Sequence, residues 1–69
     1  MIEVFKTNVQ EESQCQLIIE LLLEHYPHSS INFDLEDCDK ILRVHANEIS
    51  NAKIISILNF HGYSCEVLP

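Results

Sequence analysis

Cysteine, histidine and carboxylate side chains are the residues of this sequence that could carry chemistry. The three cysteines, Cys15, Cys38 and Cys65, form no CxxC or CxC pair, and their odd number argues against a closed disulfide framework. We therefore expect reduced thiols in a cytoplasmic protein. Cys38 stands between Asp37 and Asp39, in a predicted exposed turn, and two neighbouring negative charges weaken it as a redox or catalytic nucleophile.

A candidate cation site combines Cys38 with His61 and with the adjacent pair Glu11 and Glu12. A thiolate, an imidazole and carboxylates together suit Zn²⁺ or another borderline cation. In such a site Cys38 and His61 would be the strongest ligands, and Zn²⁺ fits better than Cu(I), which prefers a second accessible thiolate. The alternative is an acidic rim that only keeps the protein in solution.

The sequence carries no pattern typical of a catalytic site. No serine, histidine and aspartate set has a recognisable spacing, and a single glycine excludes a glycine-rich phosphate loop. The carboxylates are scattered rather than paired in an apolar stretch. We expect no enzymatic activity and no cofactor, with a Zn or Cu ion as the alternative.

The charge balance restricts the partners. Four basic residues against eleven acidic ones give a net charge of −7, which repels phosphate backbones and anionic lipid head groups. No run approaches the roughly 18 apolar residues that span a bilayer. We therefore expect a soluble protein that binds neither nucleic acid nor membrane, and whose partner is another protein or a second copy of the chain.

Hydrophobic periodicity predicts four strands and two helices. Alternating or β-branched runs indicate strands at residues 2–9, 30–36, 41–46 and 63–68. Apolar spacings of three and four residues predict a helix at 11–26, ended by Pro27, and a second helix between its N-cap Ser50 and Gly62.

The order βαββαβ predicts the fold. Residues 1–69 should form one α+β domain of ferredoxin-like architecture, a four-stranded antiparallel sheet with both helices on one face. This topology brings three connections, 8–13, 37–40 and 61–63, to one end and so assembles the candidate cation site. The predicted core consists of Ile18, Leu22, Phe33, Leu35, Leu42, Val44, Ile54, Leu58 and Val67.

Three surfaces are candidates for contact with a protein partner or in a homodimer. Leu17, Leu21 and Leu23 widen the apolar surface of the first helix beyond one stripe, so the helix is either covered on more than one side or carries an exposed patch suited to a partner. The open face of the sheet would gain a large apolar group if Phe5 shared it, and its predicted polar members are Asn32, Asp34, Glu36, Arg43 and His45. The unpaired edge strands offer free backbone groups.

Several segments of the sequence are similar to the pattern of one known domain family. They are the hairpin segments INFDL (31–35) and LRV (42–44), the pair Ile54 and Leu58, and the ending GYSCEV (62–67). Together they resemble the heavy-metal-associated domain family of copper and zinc chaperones and transport ATPase modules. The resemblance extends over nearly the whole chain and implies a ferredoxin-like fold.

The family's metal site is a Met-x-Cys-x-x-Cys loop between the first strand and the first helix. Here the corresponding stretch, 6–13, reads KTNVQEES and contains neither thiolate. We therefore expect a small, non-catalytic interaction module of this fold without the metal loop. The alternative is a Zn or Cu binding or trafficking domain with a rebuilt site.

Overall fold

The computed structural model describes all residues from 1 to 69 and contains the six predicted elements in the predicted order. They are β1 (Ile2–Thr7), α1 (Glu12–His25), β2 (Ser30–Asp34), β3 (Ile41–His45), α2 (Asn51–Phe60) and β4 (Cys65–Val67). The βαββαβ order is confirmed, and so is the α+β ferredoxin-like class. The strands are shorter than predicted, because terminal residues with strand-like composition lie outside the paired ladders. Neither helix is long and apolar enough to cross a membrane.

All four strands belong to one sheet with the order β2-β3-β1-β4, and every neighbouring pair is antiparallel. β1 and β3 occupy the centre, and β2 and β4 form the edges. Both helices cover the same face, since their buried residues Ile18, Leu22, Ile54 and Leu58 join one cluster with Leu42 of β3. The sheet therefore has one covered and one open face.

The core confirms most of the predicted residues. Ile18, Leu22, Leu42, Val44, Ile54 and Leu58 are fully buried. The other three predicted residues are less enclosed. Phe33 and Leu35 of the β2 edge are half-buried against the core, whereas the prediction for Val67 is wrong, since 39% of it is exposed. Val67 lies on a three-residue edge strand that has a neighbour on only one side.

Phe5 does not belong to the open face. It pairs with Leu42 and Val67 in register, and cross-strand partners point to the same face of a sheet. Phe5 is accordingly fully buried in the core, so the idea that it offers an exposed contact is wrong. Arg43, opposite Val4 on the other face, is exposed as predicted.

Specific caps define the ends of α2. The Ser50 hydroxyl oxygen accepts a hydrogen bond from the Lys53 amide at 3.3 Å, which satisfies one free donor of the first turn. At the other end Gly62 has φ +90°. The amide of Tyr63 bonds to the Leu58 carbonyl at 2.9 Å, and the Gly62 amide bonds to the Asn59 carbonyl at 3.0 Å. This is the Schellman arrangement, and it directs the chain into β4.

Candidate functional site

Three connections meet at one end of the domain, as the topology predicts. The Thr7 amide at the end of β1 donates to the Asp39 carbonyl at 3.1 Å. The Thr7 hydroxyl donates to the Lys40 carbonyl at 2.6 Å. The Ser64 amide donates to the Asn8 side-chain oxygen at 2.9 Å. The end of β1 is thus bonded to the β2–β3 turn, and the β1–α1 connection is bonded to the α2–β4 connection.

The β1–α1 connection is used for packing. Val9 is fully buried in the core, and its amide donates to the Thr7 hydroxyl oxygen at 3.3 Å. Thr7 is the one buried polar residue of the chain. The sequence pattern included both residues in the predicted first strand, 2–9, but β1 ends at Thr7 and Val9 lies in the connection. Thr7 shares the covered face with Phe5, two residues earlier in β1.

Cys38 lies in the β2–β3 turn with both of its acidic neighbours. One ligand atom from each of Asp37, Cys38 and Asp39 lies within 4.8 Å of the others. Asp37 accepts the Asp39 amide at 2.9 Å through its side chain, and Lys6 lies 3.9 Å from an Asp39 carboxylate oxygen. Lys40 closes the turn with φ 47°. The turn offers one exposed thiol and two carboxylates that already have partners within the protein.

The other three predicted ligands are exposed and lie outside this cluster. His61 is the C-terminal cap of α2, and its ring packs edge-on against Phe60 with 5.3 Å between the ring centroids. Glu11 is the N-terminal cap of α1. Glu12 borders a groove between α1 and β2.

The thiols of Cys15 and Cys65 are packing groups. Burial raises the pKa of Cys15, and the charge of Glu12 raises it further. Burial raises the pKa of Cys65 to about 11, with a smaller contribution from Glu66. Both thiols therefore keep their protons at neutral pH, which weakens them as ligands and as nucleophiles. Cys38 is the exposed thiol.

An open groove of about 390 Å³ runs between α1 and β2. Its apolar floor consists of Cys15, Ile19, Phe33 and Leu35. Its lining also includes Glu12 of α1 and, at the edge formed by residues 30–36, Asp34 and Glu36, which alternate with Phe33 and Leu35. We call this feature the acidic groove. The sequence shows the apolar alternation of 31–35 and the helical spacing of 15–19, but it does not show that these segments lie side by side.

A second apolar surface lies along both helices. Its members are Leu21, Ile57 and Phe60, together with Leu17, which lies one helical turn before Leu21 on α1. We call it the helical apolar surface. Phe60 is 86% exposed and Leu17 is 63% exposed. Leu21, Ile57 and Phe60 line one cleft of about 370 Å³, and none of the residues that line this cleft is acidic. Of the three leucines predicted to widen the apolar surface of the first helix, Leu17 is exposed, whereas Leu21 and Leu23 are half-buried.

Comparison of the chain with protein-family models, with curated proteins and with solved structures gives no match. The function must therefore be inferred from the residues of the chain and their arrangement.

Proposed function

We propose that this chain is a small, non-catalytic protein-interaction module of the cytoplasm. The observation that supports the proposal most directly is the helical apolar surface, where Phe60 is 86% exposed and Leu17 63% exposed. Large apolar side chains that lie together on a surface are typical of protein contact sites. Three unpaired cysteines fit a reducing compartment.

The proposal includes descent from the heavy-metal-associated type without its metal loop. The βαββαβ fold agrees with that resemblance. In the β1–α1 connection, however, Thr7 and Val9 are buried and Asn8 is bonded to Ser64. Hydroxyl, amide and aliphatic groups do not replace the thiolates that Cu(I) prefers. The residues of this connection therefore do not fit the family's metal, and protein contact is the better supported role.

The partner that we propose for the helical apolar surface is a second copy of the chain. A domain of this size buries only about 60% of the surface that its unfolded chain exposes, so it gains stability from further burial. Each copy carries a charge of −7, and two copies repel each other least where acidic groups are missing. The cleft of the helical apolar surface has no acidic lining residue. A two-fold contact would place this surface against itself.

Sedimentation velocity over a range of micromolar concentrations tests the dimer. We expect the sedimentation coefficient of the wild-type protein to rise with concentration, and Phe60→Ser and Leu17→Ser to remain monomeric. Ile2→Ser is the matched control, because Ile2 is a comparably exposed residue, at 60%, that belongs to β1. A wild-type protein that stays monomeric would overturn the dimer, as would an equal loss in the Ile2→Ser variant.

A cation site at the β2–β3 turn is the second candidate function. It is favoured by the ligand atoms of Asp37, Cys38 and Asp39, which lie within 4.8 Å of one another. A thiolate with carboxylates suits Zn²⁺ better than Cu(I). In this proposal His61, Glu11 and Glu12, which lie outside the cluster, are auxiliary, and addition of the His61 imidazole requires its ring to leave Phe60.

Titration of the reduced protein with Zn²⁺, followed by calorimetry, tests this site. We expect micromolar affinity that is lost in Cys38→Ser and reduced in His61→Ala. Affinity should fall as the pH drops through the histidine range, because a thiol and an imidazole must both lose protons to bind. Binding that survives Cys38→Ser unchanged would reject the site.

A further inference from the structure

We propose that the acidic groove binds an extended, basic segment of another protein, which pairs with β2 and extends the sheet by one strand. This inference rests on the proposed function of protein interaction. It identifies the surface and the chemistry of a partner other than a second copy of the chain.

The backbone of β2 is available for such pairing. β2 is an edge strand whose five residues pair with β3 on one side only. The peptide groups that point away from β3 are free to accept a further strand. Proteins commonly protect such edges with charged side chains, above all lysine, or with proline. Residues 30–36, SINFDLE, contain neither lysine nor proline, and their charges, Asp34 and Glu36, are both negative and leave the edge open to a segment of opposite charge. The other edge strand, β4, has only three residues.

The apolar floor of the groove supplies a site for side chains of the added strand. Phe33 and Leu35 are half-buried, and Ile19 of α1 faces them across the groove. Alternate side chains of a strand point to the same side, so every second residue of the added segment would enter the groove. Main-chain hydrogen bonds supply affinity in this mode of recognition, and pockets for alternate side chains supply specificity.

The charges of the rim select a basic partner. Glu12, Asp34 and Glu36 border the groove, and no lysine, arginine or histidine is among its lining residues. Lys40 donates to the Leu35 carbonyl at 3.0 Å and does not line the groove. With the apolar side chains of the added segment in the groove, its alternate lysine or arginine side chains would lie on the same side of the edge as Asp34 and Glu36. Two copies of β2 paired edge to edge would instead bring two acidic rims together, which disfavours self-association at this edge.

Fluorescence anisotropy with a labelled peptide of alternating valine and lysine tests the charge requirement. We expect binding to the wild-type protein, and no binding of the matched peptide of valine and glutamate. The double variant Glu12→Gln, Glu36→Gln should bind the basic peptide about tenfold more weakly, since it removes two of the three negative charges that border the groove. Its control is Glu20→Gln, Glu24→Gln, which removes two exposed charges of α1 outside the groove. If both double variants lost the same affinity for the basic peptide, binding would reflect only the general attraction of a basic peptide to an acidic protein. That result would overturn the proposal.

N-methylation of alternate residues in the same peptide tests strand pairing. One set of alternate amides faces β2 and the other faces solvent. We expect methylation of one set to abolish binding and methylation of the other to leave it unchanged. NMR should show the shifts concentrated at residues 12–19 and 30–36. Equal binding of both methylated peptides, or shifts centred on α2, would overturn the proposal.

The result of the peptide titration can be distinguished from the result of the test for the proposed dimer. Sedimentation reports on the helical apolar surface, whereas the peptide titration reports on the acidic groove. Phe60→Ser should therefore lose self-association and bind the basic peptide like the wild-type protein. A peptide that binds no form of the protein would overturn this inference and leave the dimer unaffected.

Discussion

Replacement of Thr7 by valine probes the contact that closes the end of the domain. The two side chains have nearly the same shape, so the change removes a hydroxyl without leaving a cavity. The Lys40 carbonyl then loses its donor at 2.6 Å, and the Val9 amide loses its acceptor at 3.3 Å. A buried polar group left without a partner costs about 1 to 3 kcal/mol. Since the bond to the Lys40 carbonyl is only partly buried, we expect a total loss of about 2 to 4 kcal/mol.

Such a loss is large for this domain. Stabilities of about 0.05 to 0.15 kcal/mol per residue correspond to roughly 3 to 10 kcal/mol for a chain of this length. The assay is urea unfolding followed by far-UV circular dichroism. The slope of the unfolding free energy against urea concentration should be the same for the variant and the wild-type protein. The purified variant should unfold at a markedly lower urea concentration than the wild-type protein.

Thr7→Ser is the matched control. Serine keeps the hydroxyl and both hydrogen bonds and loses only one methyl group, which is worth about 1 kcal/mol. We therefore expect serine to be better tolerated than valine at this buried position. The reverse order, or a valine variant as stable as the wild-type protein, would refute the view that the hydroxyl of Thr7 holds the connections together.

Three further outcomes follow from local geometry. Gly62→Ala should destabilise the protein by about 1 to 2 kcal/mol in urea unfolding, because φ is +90° and alanine disfavours the left-handed region. The cost comes from the backbone alone, since nothing lies within 4 Å of the added Cβ. Ser50→Ala should lower the stability by about 1 kcal/mol in the same assay, because it removes the N-cap hydrogen bond from the Lys53 amide. Burial raises the pKa of Cys65 to about 11 from its ordinary 9.0. The unfolded chain loses this proton first, so unfolding measured at a series of pH values should show stability falling between about pH 9 and 11. Cys65→Ala should flatten that decline.

The fold was predictable where the apolar residues of a segment have a single regular spacing. Leu42 and Val44 alternate with Arg43, and Ile54 and Leu58 are four residues apart, so each pattern fits only one face of its element. The first strand is ambiguous, because Val4 and Phe5 are adjacent apolar residues with opposite orientations. Only the pairing of β1 with β3 and β4 decides that Phe5 is the buried one.

The candidate sites were less predictable, because they join residues that are distant in sequence. The exposure of Cys38 was predicted correctly from its acidic neighbours and the turn. The sequence did not reveal that Ile19 and Phe33 line one groove, because the position of α1 over the sheet depends on packing of the whole core. The role of Thr7 was hidden for a similar reason, since its acceptor belongs to a turn 33 residues away.

The distribution of charge separates the two proposed contact surfaces. No acidic residue occurs in α2 or lines the cleft of the helical apolar surface, whereas three carboxylates border the acidic groove. An apolar cleft without acidic residues permits contact between identical acidic molecules, and an acidic groove repels them and attracts basic segments. The residues that line the two sites are different. Because neither contact removes the charges or side chains that the other requires, a dimer joined through its helices would still present two acidic grooves to a basic partner.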